Sequence, residues 1–455
     1  MKNLNVKFSF FESVSFLILW TVFVLLQSQS ANAQCLDVDQ VFNNSCCDID
    51  ESGCTDIGPL CGFDEDSICH RKNLFGDWLG VKPALAETGI VTDIRATQFY
   101  QGVTSGGNEE IFRYGGKVDY NLTFLGEPLG LNKGFMLMLH AETRLGQATI
   151  FDGAALSPSN TNMLMPSLGN TTAITGVQVL QALSEEWAVT FGKINALDLF
   201  NTIYPQTGRG VDGFMNTGLL IPLTVGSTIP LSFNGAGVLK LNKGRIQGGL
   251  LVYDSNSTPT TVGFNDMFDN GANIAGMWRV FSNFGGLPGS HMALGTYADG
   301  TYSSLDPNGW GFVPGAGLVV PDSSGSWSLN YILEQQLWVD NCNPDRSIGL
   351  LGQWGIADKE TSPWEWVMNV AVTGKGLIKG RSQDTVGVGY FYQGLSSDLK
   401  SLPSAGLGDV QGGEIYYNAE LTPWCHLTTD LQVVEPALRR NDTAVVLGLR
   451  LSVDL

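Results

Sequence analysis

The stretch Phe112–Phe124, FRYGGKVDYNLTF, alternates with a period of two. Phe112, Tyr114, Val118, Tyr120, Leu122 and Phe124 share one parity, with Gly116 in its only gap. Arg113, Gly115, Lys117, Asp119, Asn121 and Thr123 share the other. Successive side chains of a strand point to opposite faces, so this is a strand with one apolar and one polar face. In a soluble sandwich the aromatics would pack a core. In a membrane barrel they would meet lipid, and the charges would line a water-filled lumen.

The same alternation recurs along the chain. In Phe135–Leu145, Leu137, Leu139 and Ala141 oppose Met138, His140, Glu142 and Arg144. In Glu414–Leu421, Ile415, Tyr417 and Ala419 oppose Glu414, Tyr416, Asn418 and Glu420. Sixteen such runs are found between Ile90 and Leu455, and no sustained helical period is found after Gly89. The connections alternate between short turns, such as Ser184–Glu186, Asn242–Gly244 and Thr422-Pro423, and longer polar loops such as Gly146–Ile174 and Ser396–Gly413. An even strand count with short turns at one rim and long loops at the other suits barrel closure, whereas a sandwich gives no reason for it. The longest connection, Asn195–Pro230, includes an uncharged apolar stretch broken by Pro222, Pro230 and glycines. It reads as a loop that folds into the lumen and narrows it.

Composition points the same way. Of 455 residues, 43 % are hydrophobic but only 15 % are charged, against roughly 25 % charged in an average soluble protein. The net charge of −19 argues against a nucleic-acid partner. Lys2 and Lys7 precede the apolar run Phe16–Leu26, and Ala31-Asn32-Ala33 offers a cleavage site before Gln34. This reads as a signal peptide over residues 1–33; the run is shorter than the roughly 20 residues a membrane-spanning helix needs. Residues 34–73 form an acidic segment with Cys35, Cys46, Cys47, Cys54, Cys61 and Cys69. In an exported chain these six are disulfide candidates rather than a metal site, because no C-x₂-C pair occurs. Asp48–Gly53 is similar to the first half of an EF-hand loop, but Pro59 stands where the bidentate Glu belongs. Leu74–Glu87 is predicted to be a short helix, within residues 74–88, closed by Gly89.

Certain motifs are similar to those of a known family. LFGDWLGVKPALAETGIVTDI (Leu74–Ile94), FGKINALDLF (Phe191–Phe200), GKGLIKGRSQDTVGVGY (Gly374–Tyr390) and GGEIYYNAELTPW (Gly412–Trp424) resemble the carbohydrate-selective porins of the OprB type. Asn195 stands where that family pattern has Asp, and Leu455 where outer-membrane barrels commonly end in Phe or Trp. The resemblance spans Leu74–Leu455 and implies a 16-stranded outer-membrane channel for the diffusion of sugars.

The resulting expectation is an all-β protein: a 16-stranded antiparallel transmembrane β-barrel over residues 89–455, preceded by the short Cys-rich segment on the periplasmic side. Its partners are small hydrophilic solutes such as sugars and outer-membrane lipid; trimers are common among porins of this size. A porin needs no cofactor, nucleophile or metal, only a water column and hydrogen-bonding groups that replace part of a solute's hydration. Parity, not the resemblance, supplies the lumen candidates: Asp93, Arg95, Arg113, Lys117, Asp119, His140, Glu142, Arg144, Glu334 and Glu414 on strands, with Tyr204, Arg209 and Asp212 on the long loop. The rival readings are a general porin and a surface or cell-wall anchoring protein whose Cys-rich segment binds. Cys342 and Cys425 lie near turns on the segment's side, so either could pair with it.

Overall fold

The computed structural model describes residues 68–455, apart from 148–150, 166–170, 206–211, 316 and 403–405. The signal peptide and all of the six-cysteine segment except Cys69 lie outside the described residues. Sixteen strands close into one antiparallel barrel. In chain order they are β1 (Ile90–Ser105), β2 (Phe112–Leu125), β3 (Phe135–Gly146), β4 (Thr172–Ala182), β5 (Trp187–Asn195), β6 (Ser232–Asn242), β7 (Arg245–Asp254), β8 (Ala272–Phe284) and β9 (Leu287–Ser303). A small hairpin, β10 (Gly311–Val313) with β11 (Gly317–Val319), stands outside the barrel sheet. The barrel resumes with β12 (Asp322–Val339), β13 (Ser347–Ala357), β14 (Trp364–Lys375), β15 (Thr385–Leu395), β16 (Val410–Thr422), β17 (Cys425–Glu435) and β18 (Ala444–Asp454). Every one of the sixteen alternating runs corresponds to a barrel strand; the β10–β11 hairpin was not anticipated.

Closure runs through β1 and β18, with Arg95 opposite Asp454 and Tyr100 opposite Leu449. This pairing leaves no open sheet edge, the condition for strands to cross a hydrocarbon layer. The rims alternate as the sequence implies. Residues 243–244 and 285–286 are two-residue turns, and Lys243 (φ 50°) with Gly244 (φ 75°) has the positive dihedrals a tight hairpin of this twist requires. The opposite rim carries longer connections, including 147–171, 196–231, 255–271 and 396–409. On the outer face, Phe112 and Tyr114 are 40 % and 43 % exposed, and Tyr100 stacks on Phe112 at 5.2 Å. The aromatics of FRYGGKVDYNLTF therefore point away from the lumen.

The helix before β1 is shorter than predicted. Helix α1 covers only Val81–Glu87, because Gly76 (φ 61°) and Gly80 (φ 87°) hold left-handed dihedrals that interrupt it. The segment before β1 meets the end of β18 at the short-turn rim: the Leu74 N–H donates to Asp454 O at 2.7 Å, and Lys82 Nζ to Leu455 O at 2.6 Å. At this rim Cys342 is disulfide-bonded, as is Cys69, whereas Cys425 is a buried free thiol. Of the two rim cysteines singled out by position, only Cys342 takes part in a bridge.

Candidate constriction site

The connection from β5 to β6 enters the barrel. Asn195 ends β5 and caps helix α2 (Ala196–Ile203), its side chain accepting from the N–H groups of Leu197 (3.0 Å) and Asp198 (3.4 Å). Further on, Asn216 caps the single turn α3 (Thr217–Leu220). Irregular backbone inside a barrel must find partners for its N–H and C=O groups, and the inward polar side chains of the wall supply them. Glu414 on β16 accepts from Met215 N (2.6 Å) and Asn216 N (2.8 Å). Arg450 Nη2 on β18 donates to Gly213 O at 2.9 Å, and Asn369 Nδ2 on β14 to Gly218 O at 2.8 Å. Gln353 Nε2 on β13 donates to Leu220 O at 3.0 Å. Thr224 bonds Asn330 on β12 at 2.6 Å, and Thr228 bonds Thr296 on β9 at 2.7 Å. Anchors on so many strands mean that the segment crosses the lumen, as the sequence reading expected of Asn195–Pro230.

A second loop folds in that was read only as a long rim connection. In residues 147–171, Ser159 O accepts from Gln101 Nε2 (3.3 Å) and Gln432 Nε2 (3.0 Å). The Thr161 N–H donates to Met215 O at 2.9 Å, joining the two loops. Ser157, Ser159, Asn160, Thr161 and Asn162 are all buried. Their polarity suggests solvent; instead Ser159 O serves two wall side chains, and Thr161 Oγ1 bonds the crossing segment at Met215 O (2.9 Å) and Thr217 (3.0 Å).

The crossing segment has an apolar side. Phe200, Ile221 and Leu223 face Leu251, Met277 and Leu294 of β7–β9 across a cavity of about 170 Å³. On the other side Phe214 and Leu219 pack with Val367, Ala371, Phe391 and Tyr416. Glycines on the inward parity of β15 make room: a Cβ at Gly387 would lie 2.3 Å from Tyr416 and 2.8 Å from Phe214, and one at Gly389 would lie 2.7 Å from Leu219. The expectation that inward faces are polar therefore fails along β7–β9, where the wall buries apolar surface against the loop rather than meeting water.

The charged candidates divide into two groups. Lys117, Asp119, His140, Glu142 and Arg144 point inward as parity predicts, but they are only 3–6 % exposed. Lys117 Nζ lies 3.0 Å from Asp119 Oδ1, and His140 Nε2 lies 3.1 Å from the same oxygen. His140 Nδ1 lies 2.6 Å from Asp198 Oδ2 on α2. Asn195 Nδ2 donates to Glu142 Oε1 at 3.3 Å and to Thr175 Oγ1 at 3.1 Å. An Asp at position 195 would cap α2 equally well but could not donate to Glu142. Glu414, 2 % exposed, likewise binds backbone. All six side chains are closed off from open water, and His140, Glu142 and Glu414 bond residues of the crossing segment or its cap, Asp198, Asn195, Met215 and Asn216. Tyr204 is also buried, with the Arg279 guanidinium 4.6 Å from its ring.

The second group remains accessible. Arg95 bonds Asp212 at 2.9 Å and Asp454 at 2.6 Å, with side-chain exposures of 27 %, 46 % and 18 %. Asp93 is exposed one pleat nearer the turn rim, and Glu420 and His426 are half-buried on β16 and β17. Arg113 sits at the long-loop rim, tied to Asp152 (2.6 Å) and Glu109 (3.0 Å). Glu334 is half-buried and accepts from Ser290 Oγ at 3.3 Å. Arg209 lies outside the described residues. The motif residues Gly376, Arg381 and Asp384 form a rim clasp instead of a lumen site: Arg381 Nε bonds Asp384 at 2.7 Å, which also accepts from the Glu420 N–H at 3.0 Å.

Comparison with known proteins agrees with this architecture. The model of the carbohydrate-selective porin OprB family matches residues 109–455. The high-pH structure of Pseudomonas putida OprB superposes with a TM-score of 0.71 at 18 % identity, covering 86 % of this chain and 100 % of that one. The low-pH structure of the same protein gives 0.54 at 14 % identity, covering 85 % and 99 %. No curated protein matches the chain in sequence. With a closed 16-stranded barrel and a loop-built constriction beside the family match, the chain belongs to the carbohydrate-selective porin family and is an integral protein of the outer membrane.

Proposed function

We propose that solutes pass along the wall formed by β1 and β16–β18, where the crossing segment presents Asp212 against Arg95. The carrying observation is that, among the described residues, this pair is a solvent-accessible charged contact between segment and wall, while His140, Glu414 and Arg450 are buried. A neutral sugar offers hydroxyls that both donate and accept. A guanidinium beside a carboxylate meets both needs. Asp93, Glu420 and His426 extend the polar surface toward the short-turn rim.

Bacterial barrels place short turns on the periplasmic side, so this reading puts Cys69, Cys342 and the acidic segment there. The chain has eight cysteines, six of them within Cys35–Cys69. With Cys425 free, an intrachain partner for Cys342 has to come from that segment. Assembly as a homotrimer completes the proposal. Swelling of liposomes containing the purified protein tests the solute class: monosaccharides should enter faster than salts of matched size. Equal rates for all solutes below a size limit would replace this reading with a general porin.

A further inference from the structure

The buried cluster under α2 has the geometry of a metal centre. We infer that Asp119, His140 and Glu142 form a binding site for a divalent transition-metal ion of the Zn²⁺ class. Each of the three offers one ligand atom, and these atoms all lie within 4.8 Å of one another. His140 Nε2 is 3.1 Å from Asp119 Oδ1 and 3.7 Å from Glu142 Oε1. Tetrahedral zinc with ligand bonds of about 2.0–2.1 Å has ligand–ligand edges of roughly 3.3 Å, between those two distances.

Two features beyond the clustering favour a cation at this point. Glu142 is 3 % exposed, and its Oε2 is buried with no hydrogen-bond partner among the described residues. A buried carboxylate oxygen left in that state is costly unless a cation meets it. His140 Nδ1 faces the Asp198 carboxylate at 2.6 Å, so that nitrogen carries the proton and Nε2 is turned toward the other two carboxylates. Metal-bound histidines are oriented by a carboxylate in the same way. Asp119, Glu142 and Asp198 bring three negative charges, and Lys117 and Arg144 bring two positive ones, which leaves the cluster one positive charge short. A proton on Nε2 supplies one; a divalent ion supplies two, one of them in place of the Lys117 ammonium it displaces from Asp119. A metal ion satisfies two carboxylates and the imidazole together, and competes with Lys117 for Asp119. Because Asp198 belongs to α2, occupancy would also fix the constriction segment to β2 and β3.

This inference concerns residues that position the proposed pathway, and its test is independent of conduction. Untagged protein in detergent is stripped with a chelator, dialysed against buffered Zn²⁺, and assayed for bound metal by mass spectrometry and for affinity by calorimetry. Wild type should hold one Zn²⁺ per chain, and the E142Q and H140A variants should lose it. D198N, which keeps all three ligands, should bind about 10–100-fold more weakly. Co²⁺ substitution should give the visible absorption of a four-coordinate N/O site in wild type and not in H140A. Heat-modifiable migration in gels verifies that each variant is a folded barrel. Zinc retained in H140A and E142Q, or absent from folded wild type, would overturn the site and leave a protonated His140 as the cation. Neither outcome bears on whether the barrel passes sugars.

Discussion

Glu414 on the barrel wall accepts the Met215 N–H at 2.6 Å, 199 residues away in sequence, with the Asn216 N–H on its other oxygen at 2.8 Å. One side chain thus satisfies two backbone donors of the crossing segment in a buried setting. Replacing Glu414 with Ala leaves both donors unpaired, at about 1–3 kcal/mol each. E414A is expected to lower the thermal midpoint and to give larger, noisier single-channel currents. Currents as quiet as those of wild type would show that the segment is held without this anchor.

The Arg95–Asp212 pair should behave differently. Both side chains are solvent-accessible, so D212N should change stability by no more than about 1 kcal/mol. Its effect belongs in conduction: the sugar-induced drop in current should shrink, and selectivity should move toward anions. An unchanged sugar response in D212N, measured beside R95Q, would place the contact surface elsewhere.

A pH effect is expected at the long-loop rim. Asp409 precedes β16 and accepts from Lys400 Nζ (2.6 Å), Tyr392 OH (2.8 Å) and the Leu395 N–H (2.9 Å). Burial alone would raise its pKa, but these donors and the Lys400 charge outweigh it and hold the carboxyl below its ordinary value. A depressed folded-state pKa contributes stability above the unfolded value of about 4, and that stability is lost as pH falls through the folded value. Hydrogen-exchange protection in residues 396–409, corrected for the intrinsic rate at each pH, should therefore fall below about pH 4, and D409N should show the low protection already at pH 7. A loop equally protected at both pH values in wild type would contradict this.

Peptide mapping without reduction tests the rim cysteines. Cys342 should be recovered bridged to a cysteine of Cys35–Cys69. Cys425 should be alkylated only after unfolding, since it is 9 % exposed. A bridged Cys425 would reverse the assignment.

The barrel was legible because period-two alternation and rim-to-rim turn length are local signals that closure amplifies. FRYGGKVDYNLTF and its counterparts each declare an outward and an inward face, and the length of Asn195–Pro230 singled out a connection that folds into the lumen. Parity gives direction but not what stands opposite, so Lys117, His140 and Glu414 could not be told from open-water residues such as Asp93. That difference depends on where residues 147–171 and 196–231 lie, which is set by contacts hundreds of residues apart. One overlooked signal was present: Gly387 and Gly389 alternate with valines, leaving the inward parity of β15 without side chains where Phe214 and Leu219 pack. The rim motif around Gly376 and Asp384 carried the family resemblance while serving the turn rather than the lumen.

The central claim, a water-filled pathway that binds sugars at Arg95 and Asp212, is tested most directly in planar bilayers. Purified protein should insert with stepwise conductance, and added monosaccharide should reduce each step in a concentration-dependent manner. The reduction should be weaker in D212N. Absence of steps, or steps indifferent to every sugar tried, would contradict the account.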